Sequence, residues 1–310
     1  MNSFPPHLLA VLLPAALAGC TVGPDYRAPE MEVGEAWVGA IDAGAVDAAW
    51  WQSFDDPMLS ALVDRAIAGN KDLAEAGARL RETRALRDAA RGRALPQAGV
   101  GALATQNRLS ENGQLPVGKV PGLGRELSIF DGGFDASWEI DLWGGARRAV
   151  ESAEARTDAA REAQRGMMIQ VIAEVVRAYI ELRAAQSLRA NAAADATGQE
   201  DIARLVAERL RAGLASRADL ARAETLARGT AARVPQHGAE ADAAAFRLAL
   251  LVGEPPEVIY ESLRTPRPLP SVNREVRAGL RSDLLRRRPD VRRAERELAA
   301  ATADIGVATA

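Results

Sequence analysis

Only one residue in this chain offers thiol chemistry: Cys20, at the end of Leu17-Ala18-Gly19-Cys20. The apolar stretch 8–17 before it is too short to span a bilayer as a helix, and small residues follow it. That is the layout of a signal-peptide core and its cleavage point. A single cysteine permits no disulfide within the chain. Histidine is equally scarce, with only His7 and His237, so a zinc site, a Ser-His-Asp relay or a Cys-His pair lacks its parts. No glycine-rich phosphate loop follows a strand. Carboxylates are plentiful at 42, but the only ones the pattern lines up are Asp131, Asp135, Glu139 and Asp141. A row of like charges supplies a polar wall and no reaction, so the sequence argues against an enzyme, a resident metal or a cofactor.

That row belongs to the segment 129–142, whose residues alternate. Phe130, Phe134, Ala136, Trp138, Ile140 and Leu142 fall on one side of an extended chain, and Asp131, Asp135, Ser137, Glu139 and Asp141 on the other. At about 3.3 Å per residue the segment reaches roughly 45 Å, enough to cross a bilayer at a tilt. A weaker strand of Gly, Ala, Val, Leu and Thr precedes it at about 97–108. The intervening Asn112-Gly113, Pro116, Gly118, Pro121-Gly122 and Gly124 mark a long polar loop. Strand, loop and strand together read as a transmembrane β-hairpin over 97–142.

The elements around the hairpin are helical. Asp56-Pro57 reads as an N-cap and first helical residue, with Leu59, Leu62, Val63, Ala66 and Ile67 as the apolar stripe and Gly69-Asn70 as the stop. An Ala-rich helix over 71–96 ends at Pro96. No proline interrupts 145–211, and 67 helical residues make a rod of about 100 Å, too long for one globule. Met168, Ile172, Val175, Tyr179 and Leu182 form a heptad seam. Ile169, Ala173, Val176 and Ile180 form a second beside it, so the helix is expected to touch partners on two sides, as in a ring of helices. The rod should turn at Gly213-Leu214-Ala215-Ser216, with Gly213 left-handed and Ser216 boxed with Asp219. It then returns to Gly253 with a kink at Pro235. Pro255, Pro256, Pro266, Pro268 and Pro270 read as a stiff extended connector over 254–288.

The helix from Asp72 and a helix from Asp290 align without gaps at an offset of 218, pairing Leu73 with Val291, Ala76 with Ala294 and Leu80 with Leu298. The first copy leads into the hairpin. Residues 289–310 therefore read as the start of a second repeat, and the chain as the amino-terminal part of a longer protein.

Two resemblances then apply. Leu17-Ala18-Gly19-Cys20 resembles the lipobox of bacterial lipoproteins, in which the cysteine sulfur receives a diacylglycerol, residues 1–19 are removed and the new amine is acylated. Several acyl chains make a durable anchor where one would be marginal. Thr21 stands where inner-membrane retention usually wants Asp, which implies the outer membrane. The stretches 19–26, 50–62, 130–148, 213–216 and 283–310 resemble, in order, the outer-membrane efflux factors: TolC-type channels, in the NodT-like lipoprotein branch that serves RND-type pumps. Arg281 departs from the family's Pro.

This resemblance implies a mainly α fold with a transmembrane β-hairpin. Long coiled-coil-like helices form an α-barrel, and the strands join a trimeric outer-membrane β-barrel. It also implies a homotrimer, a periplasmic adaptor (membrane fusion protein) docking near Gly213, Leu214, Ala215 and Ser216, and an inner-membrane RND-type pump. On it Asp131, Asp135, Glu139 and Asp141 line the lumen, Phe130, Phe134 and Trp138 meet outer-membrane lipid or neighbouring strands, and Cys20 carries the lipid. The equatorial parts fall at 20–70 and 254–288, and the long helical hairpin at 143–253. The expected function is passive export, the rival a pore-less coiled-coil envelope tether. A net charge of −3 shows no nucleic-acid bias, and Arg286-Arg287-Arg288 reads as a solvated helix end.

Overall fold

The computed structural model describes residues 21–30, 48–110, 122, 124–272 and 285–310. Cys20, the signal segment and most of the long hairpin loop lie outside the described residues.

A 3₁₀ turn at Trp50–Phe54 comes first, with Trp50 edge-on to Trp51 and to Phe54 at centroid distances of 6.4 and 6.3 Å. Helix α1 (Pro57–Gly69) starts where Asp56 Oδ1 accepts from the Met58 and Leu59 amides. Its apolar stripe buries Leu59, Leu62, Val63 and Ala66 and leaves Ile67 outside. Asn70 then turns the chain into α2 (Lys71–Arg93). It has no left-handed backbone (φ −62°), in contrast to the expected glycine-type stop. Its buried amide donates to Leu251 O at 2.8 Å and its oxygen accepts from the Leu73 amide at 3.0 Å. The Asn70 backbone N–H thus closes α1 on Ala66 O, while its side chain opens α2 and ties the junction to a distant helix.

Strands β1 (Gln97–Arg108) and β2 (Glu126–Ser137) pair antiparallel, Gln97 opposite Ser137 through to Arg108 opposite Glu126. Helix α3 (Gly145–Arg211) runs 67 residues unbroken. The return is split into α4 (Arg217–Ala231) and α5 (Arg233–Val252) at Ala232. Pro235 has no N–H for the carbonyl of Ala231, four residues back, so the expected kink is a break. Gly253 ends α5 in the left-handed region (φ 73°), and the Glu254 amide reaches back to Ala249 O.

The expected extended connector is corrected next: residues Pro256–Arg264 form α6. Pro256 sits at the first helical position, where its missing N–H costs nothing. Ile259 and Leu263, four apart, are fully buried. Helix α7 (Pro289–Thr309) is the last element.

The described residues divide into two compact units. One takes Ala28–Glu82 and Asp158–Arg296. Its core joins Leu59, Leu62 and Val63 with Val175, Tyr179 and Leu182 of α3, Leu248 and Val252 of α5, and Ile259 and Leu263 of α6. Arg183 is wholly buried there. It donates to Gln186 Oε1, to the carbonyls of Leu263 and Thr265 and to Met58 Sδ, and lies 4.8 Å from the Tyr179 ring centroid. Of the two expected seams, Ile172, Val175, Tyr179, Leu182 and Val176 are covered within the chain. Met168, Ile169 and Ala173 remain exposed.

The other unit takes the described part of Met1–Arg27 with Thr83–Thr157 and Glu297–Ala310. Its small core is Ala155, Ala299 and Ala300 under Tyr26. Asp304 Oδ1 accepts from Ser152 and Oδ2 from Arg156, both at 2.6 Å. The repeat partners differ in burial: Leu80 is covered and Leu298 exposed.

Candidate functional site

In an antiparallel pair, residues directly opposite share a face. The register puts Asp131 opposite Leu103 and Asp135 opposite Gly99 on one face, Phe130 opposite Ala104 and Phe134 opposite Val100 on the other. Gly99 makes room for the carboxylate: a Cβ there would lie 2.9 Å from Asp135 Oδ1. Phe130, Phe134 and Val100 are each more than 80% exposed, so none of the described residues covers that face.

The two faces exchange character toward the loop. Ile129 and Leu127 continue the aspartate face, while Ser128, opposite Gln106, and Glu126, opposite Arg108, continue the phenylalanine face.

The expectation of one strand over 129–142 is corrected. Pairing stops at Ser137, because one further step in register would set Trp138 against Pro96, which has no N–H to give. Trp138 and Glu139 therefore stand outside the strand, and the Trp138 indole donates to Ala94 O at 3.3 Å. Asp141 is a helix cap and no part of a strand wall. Its Oδ1 accepts from the Ala146 amide at 3.2 Å, and its Oδ2 accepts from the Arg147 amide at 3.0 Å and from Arg147 Nε at 3.3 Å. Gly144 (φ 85°) makes the turn into α3.

At the opposite end of α3, Gly213 is left-handed (φ 73°) and the Leu214 amide closes on Arg209 O at 2.8 Å. Ser216 and Asp219 form a reciprocal capping box. Hydrogen bonds from the Ser216 side chain and backbone hold the Asp219 carboxyl below the usual carboxylate range. Leu214 is 71% exposed and Ala215 half-buried.

One residue escaped the sequence reading. Arg148, 4% exposed, grips the segment that follows Cys20. Its Nε donates to Val22 O at 3.2 Å, its Nη2 to Gly23 O at 3.3 Å and to Asp25 Oδ1 at 2.7 Å, and its Nη1 to Glu151 Oε2 at 2.8 Å. The hydrogen bonds to Asp25 and Glu151 push its pKa up. A cation in the first turn of a helix, where the helix dipole disfavours it, was the available signal.

Among the described residues no group of three His, Cys, Asp or Glu could hold a metal ion, and no helix is long and apolar enough to cross a membrane. Residues 62–254 match the family model for outer membrane efflux protein. The chain belongs to that family. Nodulation protein T of Rhizobium leguminosarum bv. trifolii is 33% identical over 297 residues, taking in 95% of this chain and 62% of that protein. The pyoverdine export outer membrane protein OpmQ of Pseudomonas aeruginosa is 31% identical, over 87% of this chain and 57% of its own length. The solved outer-membrane channel OprN matches with a TM-score of 0.81 at 39% identity, covering 94% of this chain and 64% of OprN. The fold is thus the mainly helical TolC-type one, with a β-hairpin from this chain and no closed barrel in the single subunit. The chain spans less than two thirds of each of these relatives.

Proposed function

We propose that this chain is part of the outer-membrane channel of a tripartite efflux system, a passive duct for small molecules with no catalysis of its own. Three subunits would surround the duct. Asp131 and Asp135 would face its water, and Phe130 and Phe134 would face lipid or a neighbouring strand. The turn from Gly213 to Ser216 would meet a periplasmic adaptor that leads to an RND-type inner-membrane pump. Cys20 would hold the chain to the outer membrane through its acyl chains.

The observation that carries this reading is the two-faced hairpin, continuous with an unbroken helix of 67 residues, in a chain of the outer membrane efflux protein family. The named functions of its relatives, such as pyoverdine export, favour a duct over a tether. A tether has no use for exposed phenylalanines on a strand. The test is conductance of the full-length protein in planar bilayers, together with its migration as an unheated trimer. Stable conductance steps and a heat-labile trimer are expected. A lipid-anchored protein that gave neither would be a tether.

A further inference from the structure

We propose that Arg148 sets the depth of the lipid anchor: it clamps the segment after Cys20 to the base of the hairpin, so that acyl chains and the apolar residues there enter the same phospholipid leaflet. This rests on the reading of Cys20 as the acylated residue.

The clamp is a built feature of the unit that holds the hairpin. The Val22 amide donates to Trp143 O at 3.1 Å, and Arg148 closes on the next two carbonyls and on Asp25. Three glycines permit the close approach. A Cβ on Gly23 would lie 2.5 Å from the Gly306 Cα, one on Gly306 2.7 Å from Arg148 Cγ, and one on Gly144 2.8 Å from Thr21 Cγ2. Tyr26 then packs on Ala155, Ala299 and Ala300. Segment 21–26 is therefore fixed at both its ends, and Thr21 lies against the turn that joins hairpin to α3.

That turn carries the second observation. Trp138, Ile140, Leu142 and Trp143 are each 58–64% exposed within six residues. Two of the four are tryptophans, the residue that favours the boundary between headgroups and hydrocarbon. They follow directly on the end of β2, in the segment that leads into α3. Thr21 lies against Gly144, next to Trp143; the proposed acyl chains would start one residue earlier, which points to a phospholipid leaflet as the partner of this patch.

Arg148 suits the task because its guanidinium presents five donors in a fixed fork, and here it binds two carbonyls and two carboxylates at once. Lysine keeps the charge and loses the fork. The experiment uses the full-length protein in lipid nanodiscs, with exchange of the Val22 amide and a spin label at Ile140→Cys read against lipid-dissolved oxygen and a water-soluble relaxant. Palmitate incorporation is followed in cells. Arg148→Gln should raise Val22 exchange at least tenfold and move the label toward water, with palmitate incorporation unchanged. Arg148→Lys should fall between. Asp25→Asn, on a residue 82% exposed, takes the charge from one arm of the clamp and weakens it without disturbing packing, and should raise exchange about threefold. If palmitate enters normally while exchange and label depth ignore these substitutions, the clamp is overturned and the anchor stands. If the wild type takes up no palmitate, the anchor reading falls and the proposal with it.

Discussion

Gly69 and Gly253 meet backbone to backbone: a Cβ on Gly253 would sit 2.2 Å from Gly69 O, and a Cβ on Gly69 would sit 2.4 Å from Val252 O. Gly253 shares its φ of 73° with Gly213, where a Cβ would meet nothing within 4 Å. The two positions separate backbone strain from collision. Gly213→Ala should cost about 1 kcal/mol, the strain alone. Gly253→Ala should cost roughly 3–5 kcal/mol, because the helix end must also move away from α1. Urea unfolding of both variants followed by circular dichroism measures the difference, and equal losses would contradict it.

The Tyr179 hydroxyl donates to Asp56 Oδ2 at 2.6 Å while Asp56 Oδ1 caps α1. Burial first, then this bond, raises the Tyr179 pKa. Tyr179→Phe removes one bond and leaves the cap, for a loss of about 1 kcal/mol. Asp56→Ala removes the cap and strands a buried hydroxyl, for roughly 2–4 kcal/mol. The order of the two melting temperatures checks the assignment.

The capping box at the turn should respond to acid. The folded pKa of Asp219 lies below its unfolded value, so its contribution is complete above about pH 4 and is lost as pH falls through the folded value. Exchange of the Asp219 amide, which bonds to Ser216 Oγ at 3.1 Å, should accelerate below that point beyond its intrinsic pH dependence. Ser216→Ala should raise the Asp219 pKa toward the ordinary carboxylate range, read by NMR titration.

With Asp141 occupied as a cap, the hairpin keeps two acidic residues on its polar strand face. If the hairpin lines a duct as proposed, Asp131→Asn with Asp135→Asn should lower the cation-to-anion permeability ratio of the full-length protein in planar bilayers, seen as a smaller reversal potential in a salt gradient. Asp141→Asn should leave that ratio alone and instead fray the start of α3.

Local signals were legible and distant ones were not. Asp56-Pro57 and Gly213 with Ser216 and Asp219 each declare themselves within about one turn of chain, the rod in the unbroken run 145–211, and the helices begin and end there. The end of β2 was misread because Trp138 to Leu142 keep alternating, while the stop comes from Pro96 across the pair. Helix α6 was hidden among prolines, although Ile259 and Leu263 carried its spacing. Arg148 and its partners Val22, Gly23 and Asp25 stand more than 120 residues apart, and no local pattern reveals such a clamp. The lumen, lipid and docking roles rest on resemblance alone and stand as proposals, because a single subunit does not bring the partners together.

The exchange of faces near the hairpin tip has a consequence for insertion. Below it the phenylalanine side can rest in hydrocarbon, and above it Ser128, Gln106, Glu126 and Arg108 cannot. Slipping one strand by a single residue would drive a carboxylate into the oil or a phenyl ring into water. A hairpin seated in a bilayer is therefore self-levelling: one vertical position and one pairing satisfy both of its sides.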